Sequence, residues 1–218
     1  MSVKMYYRHS YKKSLALGLC QNIKQSFPMA RRAVFLDRDG VINEEKNFVL
    51  SPHQIELYPF SGEAVKKLNQ AGYPVIVVTN QSAVARNYIT IEQLNSIHNA
   101  LIDKLKNEGA YLDGIYFCPH KRELDEEVGN KEYIHDCECR KPKPGMLFRA
   151  AEDFNIDLKR SYLIGDSERD IIAGKRAECI TIGVRTGKGL NGMKGSPDYI
   201  FNDLQEAVDF ILGFSEQR

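Results

Sequence analysis

Ala33-Val34-Phe35-Leu36-Asp37-Arg38-Asp39-Gly40 is the stretch that decides the fold of this chain. Four apolar residues in an unbroken run mark a strand buried on both faces, and such strands belong to mostly parallel sheets. The run stops on two carboxylates, two residues apart. The same grammar recurs downstream. Pro74-Val75-Ile76-Val77-Val78 ends at Thr79-Asn80, Gly114-Ile115-Tyr116-Phe117 ends at Cys118, and Tyr162-Leu163-Ile164 ends at Gly165-Asp166. Cys179 to Val184 reads as a fifth strand and Tyr199-Ile200-Phe201 as a sixth.

Helical periodicity fills the gaps. Ala64, Val65, Leu68 and Ala71 share one face of a helix predicted from Ser61 and stopped by Gly72. Thr90 and Gln93 form a capping box for a helix to about Asn107, with Leu94, Ile97, Leu101 and Leu105 inward. Pro144 opens a third helix, a short one follows Asp166, and a last one runs from Asp203. Strands alternating with helices predict an α/β, Rossmann-like, mostly parallel sheet with helices on both faces. About 20 residues separate Gly40 from the Ser61 helix, enough for a β-flap and too few for a large cap domain. Ligands of such sheets bind beyond the carboxyl ends of the strands. Asp37, Asp39, Thr79, Asn80 and Asp166 are therefore expected to converge on one crevice.

The chain has 218 residues, 43% hydrophobic and 27% charged, which excludes wholesale disorder. No stretch approaches the roughly 18 apolar residues of a membrane helix. A net charge of +1 argues against bulk-charge binding to nucleic acid. Residues 1–32 hold seven Lys/Arg and no acid, while the remainder holds 23 basic and 29 acidic residues. This basic stretch is set apart as an N-terminal extension, with residues 33–218 as one domain. Its apolar run Leu15 to Cys20 is short for a signal peptide, and its composition is open to an organellar transit segment. A peripheral extension, or a start upstream of a natural Met29, fits it better. Five cysteines, three of them in one segment, suit metal binding in a reducing compartment, hence the cytoplasm.

Two adjacent carboxylates repel unless a cation neutralises them, and hard oxygen ligands suit Mg²⁺. Asp166 supplies a third acid from another strand end. One carboxylate can attack phosphorus, and the other can move a proton to the leaving oxygen. Asp-x-Asp-Gly alone is equally well a capping turn. Thr79 and Asn80 can hold phosphoryl oxygens. Lys141, in Arg140-Lys141-Pro142-Lys143-Pro144, can supply a point charge, although a solvated basic loop reads the same way. Asp170, four residues after Asp166, orients a water or Lys141, or favours the start of a helix. Cys118-Pro119-His120 and Cys137-Glu138-Cys139 give four ligands that fit a structural Zn²⁺ in a loop at about 118–139, with His135 ranked lower. The zinc would hold the loop that delivers Arg140 and Lys141.

The four motifs, in this order, resemble the haloacid dehalogenase (HAD) superfamily of aspartate-nucleophile phosphatases. The resemblance implies Asp37 as nucleophile, Asp39 as general acid and base, Thr79 as phosphoryl holder and Lys141 as charge balance. It implies Mg²⁺ on Asp37, Asp166 and the Asp39 carbonyl. The run from Cys118-Pro119-His120 through Cys137-Glu138-Cys139-Arg140-Lys141-Pro142 to Gly145-Met146 resembles one subgroup, the D-glycero-D-manno-heptose 1,7-bisphosphate phosphatases. Val78-Thr79-Asn80-Gln81-Ser82, Ala85-Arg86 and Val184-Arg185-Thr186-Gly187 are similar to it too. Members remove the C7 phosphate of a heptose bisphosphate, on the route to activated heptose for lipopolysaccharide and other surface glycans. The resemblance implies a small phosphorylated sugar as partner, no nucleic acid or membrane, and a monomer.

Related histidinol-phosphate phosphatases share the zinc loop and are the nearest alternative. A non-catalytic phosphosugar-binding protein is disfavoured by the intact acid set. Arg86, Arg140 and Lys143 are candidates for gripping a second phosphate. The chain departs from the subgroup in a longer loop between His120 and Cys137, in Asn87 where glycine is usual, and in the N-terminal extension.

Overall fold

A computed structural model describes residues 4–6, 29–122 and 129–215. The strands are β1 (Lys4–Tyr6), β2 (Val34–Leu36), β3 (Val75–Asn80), β4 (Gly114–Cys118), β5 (Tyr162–Gly165), β6 (Ile180–Val184) and β7 (Tyr199–Phe201). The helices are α1 (Ser61–Gln70), α2 (Ile91–Asn107), α3 (Gly145–Phe154), α4 (Glu168–Arg176) and α5 (Leu204–Ser215). All seven strands join one sheet in the order β1-β4-β3-β2-β5-β6-β7, and every pair is parallel.

Side chains alternate across the sheet, as the pleat dictates. Val34 and Leu36 of β2 face one core, with Val75 and Val77 of β3, under α1, α2 and α5. Ala33 and Phe35 face the other, with Ile76 and Val78, under α3 and α4. Helices thus cover both faces, which is why the central strands carry unbroken apolar runs. The Thr90–Gln93 capping box opens α2 as expected. The basic N-terminal stretch carries no strand pattern, yet Lys4–Tyr6 pairs with Gly114–Tyr116 as the sheet edge. The rest of that stretch up to residue 28 lies outside the described residues.

The order sets the switch point. From β2 the chain builds outward through β3 and β4, then returns to the far side of β2 with β5 and builds outward again. Loops after β3 and β5 diverge there, leaving a crevice beyond the end of β2. No cap domain interrupts residues 37–60; they hold one antiparallel bridge, Asn43 to Leu57, and a single 3-10 turn at Pro52–Gln54.

Candidate active site

The crevice is a cavity of about 240 Å³, lined in part by Asp37, Asp39, Thr79, Asn80, Arg86, Arg140 and Asp166. Residues from four separate strand ends and loops meet there. Asp37 follows β2 directly, and its N–H donates to the Ile164 carbonyl of β5 at 3.0 Å. Thr79 and Asn80 end β3. Gly40 (φ +82°) and Gly187 (φ +61°) pack against each other around Asp166. A Cβ on either would stand 2.3 Å from Asp166 Oδ2, so both positions need glycine.

Lys141 lies beneath Asp37 rather than in open solvent. Its Nζ is 3.0 Å from Asp37 Oδ1 and 2.6 Å from Asp170 Oδ1, and it donates to the Val78 carbonyl at 2.7 Å. Asp170, fully buried, is thus the partner that orients Lys141. Its other oxygen caps α4 through Ser167. Lys141 stays charged: burial opposes its charge, and Asp170 and Asp37 more than offset that. Asn80 spends its amide on this same residue, accepting from Lys141 N and donating to Lys141 O, both at 3.0 Å. It fixes the lysine loop while lining the cavity.

Asp39 is held differently. Arg38 Nε and Nη2 reach its Oδ1 at 3.0 and 2.9 Å, and Nη2 reaches Oδ2 at 2.8 Å. Asn43 donates to Oδ1 and Gln81 to Oδ2, each at 2.9 Å. Burial raises its proton affinity, but Arg38 and these amides prevail and hold it below the usual carboxylate range. Asp37 goes the other way. Burial pushes it up to about 7; Lys141 pulls down while Asp170, Asp166 and Asp39 push up. Burial also lifts Asp166 to about 6. Two proton-attracting carboxyls and one proton-shedding carboxyl therefore face a single cavity.

Carboxylate oxygens of Asp37, Asp166 and Asp170 lie within 4.8 Å of one another. Asp170 is engaged by Lys141, which leaves Asp37 and Asp166 as the acids for a hard cation. Two hard carboxylate donors converge there, so the donor set fits Mg²⁺. The second cluster is soft. Cys118 Sγ lies 3.6 Å from Cys137 Sγ and 3.5 Å from His120 Nδ1; Cys139 Sγ lies 3.3 Å from Cys137 Sγ and 3.2 Å from His120 Nδ1. Metal bonds of ~2.3 Å at tetrahedral angles would put ligand atoms about 3.8 Å apart, close to these edges. Burial pushes Cys118 up, and Cys139 reaches about 12, because Cys137's hydrogen bond and charge outweigh the lowering by Cys118. Three thiolates cannot coexist here without a cation, so the set fits Zn²⁺. His135 packs at a tilt against His120, with ring centres 4.3 Å apart, and stands outside the four-ligand set.

The zinc loop touches the site directly. Arg140 Nη1 donates to the His120 carbonyl at 2.8 Å while its side chain lines the cavity. Arg86 also lines the cavity, with its guanidinium over the ring of Phe48. Lys143 is tied to Asp136 and Glu138 at 2.6 and 3.1 Å and is not among the cavity's lining residues. The lining residues outside the expected set include Glu45, Gln81, Arg169 and Lys188. Lys188 N–H donates to Asp166 Oδ2 at 2.7 Å. Its position after Thr186-Gly187 was the available signal.

Comparison with known proteins agrees with this geometry. Residues 138–207 match the HAD-hydrolase-like family model. The D-glycero-beta-D-manno-heptose-1,7-bisphosphate 7-phosphatase of Pasteurella multocida is 38% identical over 84% of this chain and 98% of its own length. The D-glycero-D-manno-heptose-1,7-bisphosphate 7-phosphatase of Thermosynechococcus vestitus is 40% identical over 84% of this chain and 96% of its own. Among solved structures, the D,D-heptose 1,7-bisphosphate phosphatase of B. bronchiseptica, complexed with magnesium and phosphate, has a TM-score of 0.73 and 33% identity. It covers 84% of this chain and 99% of its own. Fold and site together define a phosphatase of the HAD class. Within that class the chain belongs to the D-glycero-D-manno-heptose-1,7-bisphosphate 7-phosphatase family.

Proposed function

We propose that this protein removes the C7 phosphate of a D-glycero-D-manno-heptose 1,7-bisphosphate through an aspartyl-phosphate on Asp37. The observation that carries this is the meeting of Asp37, Asp39, Thr79 and Asp166 in one cavity above Lys141. Asp37 attacks phosphorus; its new O–P bond replaces the bond to the sugar oxygen. Asp39 must first take up a proton against the pull of Arg38, Asn43 and Gln81, and it then gives that proton to the sugar oxygen. Water then attacks the phospho-aspartate, Asp39 takes the water proton, and inorganic phosphate leaves with Asp37 restored. Thr79 holds a phosphoryl oxygen and Lys141 offsets the charge on Asp37. Mg²⁺ held by Asp37, Asp166 and the Asp39 carbonyl would supply electrostatic stabilisation of the transferring phosphoryl group. Zn²⁺ on Cys118, His120, Cys137 and Cys139 would be structural, because four protein ligands leave no open position.

Arg140 and Arg86 stand where a second phosphate would reach, and we assign them to it. The catalytic unit is residues 33–218, acting as a cytoplasmic monomer on a small molecule, without nucleic-acid or membrane partners; among the described residues no helix is long and apolar enough to cross a membrane. The test is a panel of phosphorylated metabolites with released phosphate as readout. The heptose bisphosphate should lead in kcat/KM, with histidinol phosphate far behind. Preference for histidinol phosphate would overturn the substrate, and no turnover of any ester would overturn the enzyme.

A further inference from the structure

We propose that Arg38 and Gln81 are positioning residues that fix the Asp39 carboxyl against Thr79 and the phosphoryl site. The proposal rests on Asp39 being the general acid and base.

Arg38 is the middle residue of Asp37-Arg38-Asp39, in a loop that faces a cavity, yet its side chain is 0% exposed. Burying a guanidinium is costly unless it is matched, so its inward course demands a reason. The reason on view is Asp39, gripped through both oxygens by Nε and Nη2. Gln81 closes the circuit. Its Oε1 accepts from Arg38 Nη2 at 3.1 Å, and its Nε2 donates to both Asp39 Oδ2 and Thr79 Oγ1 at 2.9 Å. One amide thereby registers the proton-transfer carboxyl to the hydroxyl assigned to the phosphoryl group. Neither residue needs to touch substrate to do this.

The far side of the guanidinium offers no competing acid. Arg38 Nη1 and both ring nitrogens of fully buried His98 have no partner among the described residues. Burial and the Arg38 charge hold that ring neutral. The ion pair recorded for Arg38 is the one to Asp39. Removing the fork would let the Asp39 carboxyl rotate out of line, and a displacement of ~1 Å can cost about 10²-fold. The loss would fall on substrates whose leaving oxygen needs a proton.

The experiment compares kcat/KM, which reports the steps up to departure of the leaving group, for two substrates. One is the heptose bisphosphate, whose alkoxide needs Asp39. The other is p-nitrophenyl phosphate, whose phenolate leaves unaided. Arg38→Met and Gln81→Leu should each lose about tenfold more on the sugar than on the aryl ester. A variant that folds by circular dichroism and loses both equally, or neither, overturns the role of that residue. If Arg38→Met fails to fold, Gln81→Leu decides alone, since it leaves the Arg38–Asp39 pair in place. Asp39→Asn is the reference. If it shows no leaving-group selectivity, the general-acid reading fails. If it is selective while the folded Arg38 and Gln81 variants are not, only the positioning proposal fails.

Discussion

The ammonium of Lys141 stands 3.0 Å from the carboxylate of Asp37, inside the protein and shielded from water. That contact sets the working state of the nucleophile. Burial alone drives Asp37 toward its protonated, unreactive form, and Lys141 is the influence that pulls it back. A second acid, Asp170, holds Lys141 from behind at 2.6 Å. Charge in the site is therefore balanced by a chain of three residues rather than by a pair.

Lys141→Met should raise the proton affinity of Asp37 further. The acid limb of the kcat/KM profile should move to higher pH, so that the rate falls most at neutral pH and partly recovers in alkali. Breaking a buried ion pair typically costs ~3–5 kcal/mol, so thermal unfolding should be followed in parallel. An unmoved acid limb in a folded variant would remove the role given to this lysine.

Protons and Mg²⁺ should compete. Asp37 and Asp166, at about 7 and about 6, both lie above the ordinary carboxylate range. As pH falls from 8 through these values they take up protons and cease to be ligands. The apparent Kd for Mg²⁺, measured calorimetrically, should therefore rise steeply between pH 8 and 5.5. Mg²⁺ should raise Tm more at pH 8 than at pH 5.5. A Kd that is flat across this range would count against those two acids as the ligands.

The zinc loop should matter for turnover more than for folding. Cys139 immediately precedes Arg140, which is tied to the zinc ligand His120 through its carbonyl. Cys139→Ser should lose zinc, loosen Arg140 and Lys141, and lower kcat/KM by about 10²-fold. Cys139 only borders the core under α3 and α4, so Tm should fall less. Loss of zinc by elemental analysis with unchanged kcat and KM would end the positioning role.

Arg140→Ala should raise KM for a bisphosphate more than for a small phosphate ester, because only the larger substrate offers the guanidinium a second set of oxygens. Equal weakening of both substrates would remove that assignment.

The central strands were readable in the sequence because burial on both faces writes a continuous apolar run. β1 was not. An edge strand of three residues in a basic stretch carries no such run, and only its pairing with Gly114–Tyr116 reveals it. The strand-end acids and Thr79 were legible for the same topological reason: polar residues that stop an apolar run face the crevice. Lys141 follows no such run and was legible only as part of a basic loop before a helix and through the family resemblance. Arg38 was not, since nothing in Asp37-Arg38-Asp39 tells an inward arginine from a solvated one. Gln81, Glu45 and Lys188 reach the cavity from loops without periodicity, and Arg169 from the first turn of α4, and only folding brings them there. The strand-end position of Asn80 does not show that its amide also ties down the backbone of a residue 61 positions away.

Transfer of the phosphoryl group to Asp37 is the step on which the rest depends. Rapid acid quench during turnover of the heptose bisphosphate, followed by peptide mass spectrometry, reads it directly. A phosphoryl adduct should appear on Asp37 in the wild-type protein and be absent from a folded, inactive Asp37→Asn. No adduct at any quench time, together with wild-type turnover by Asp37→Asn, would contradict the account.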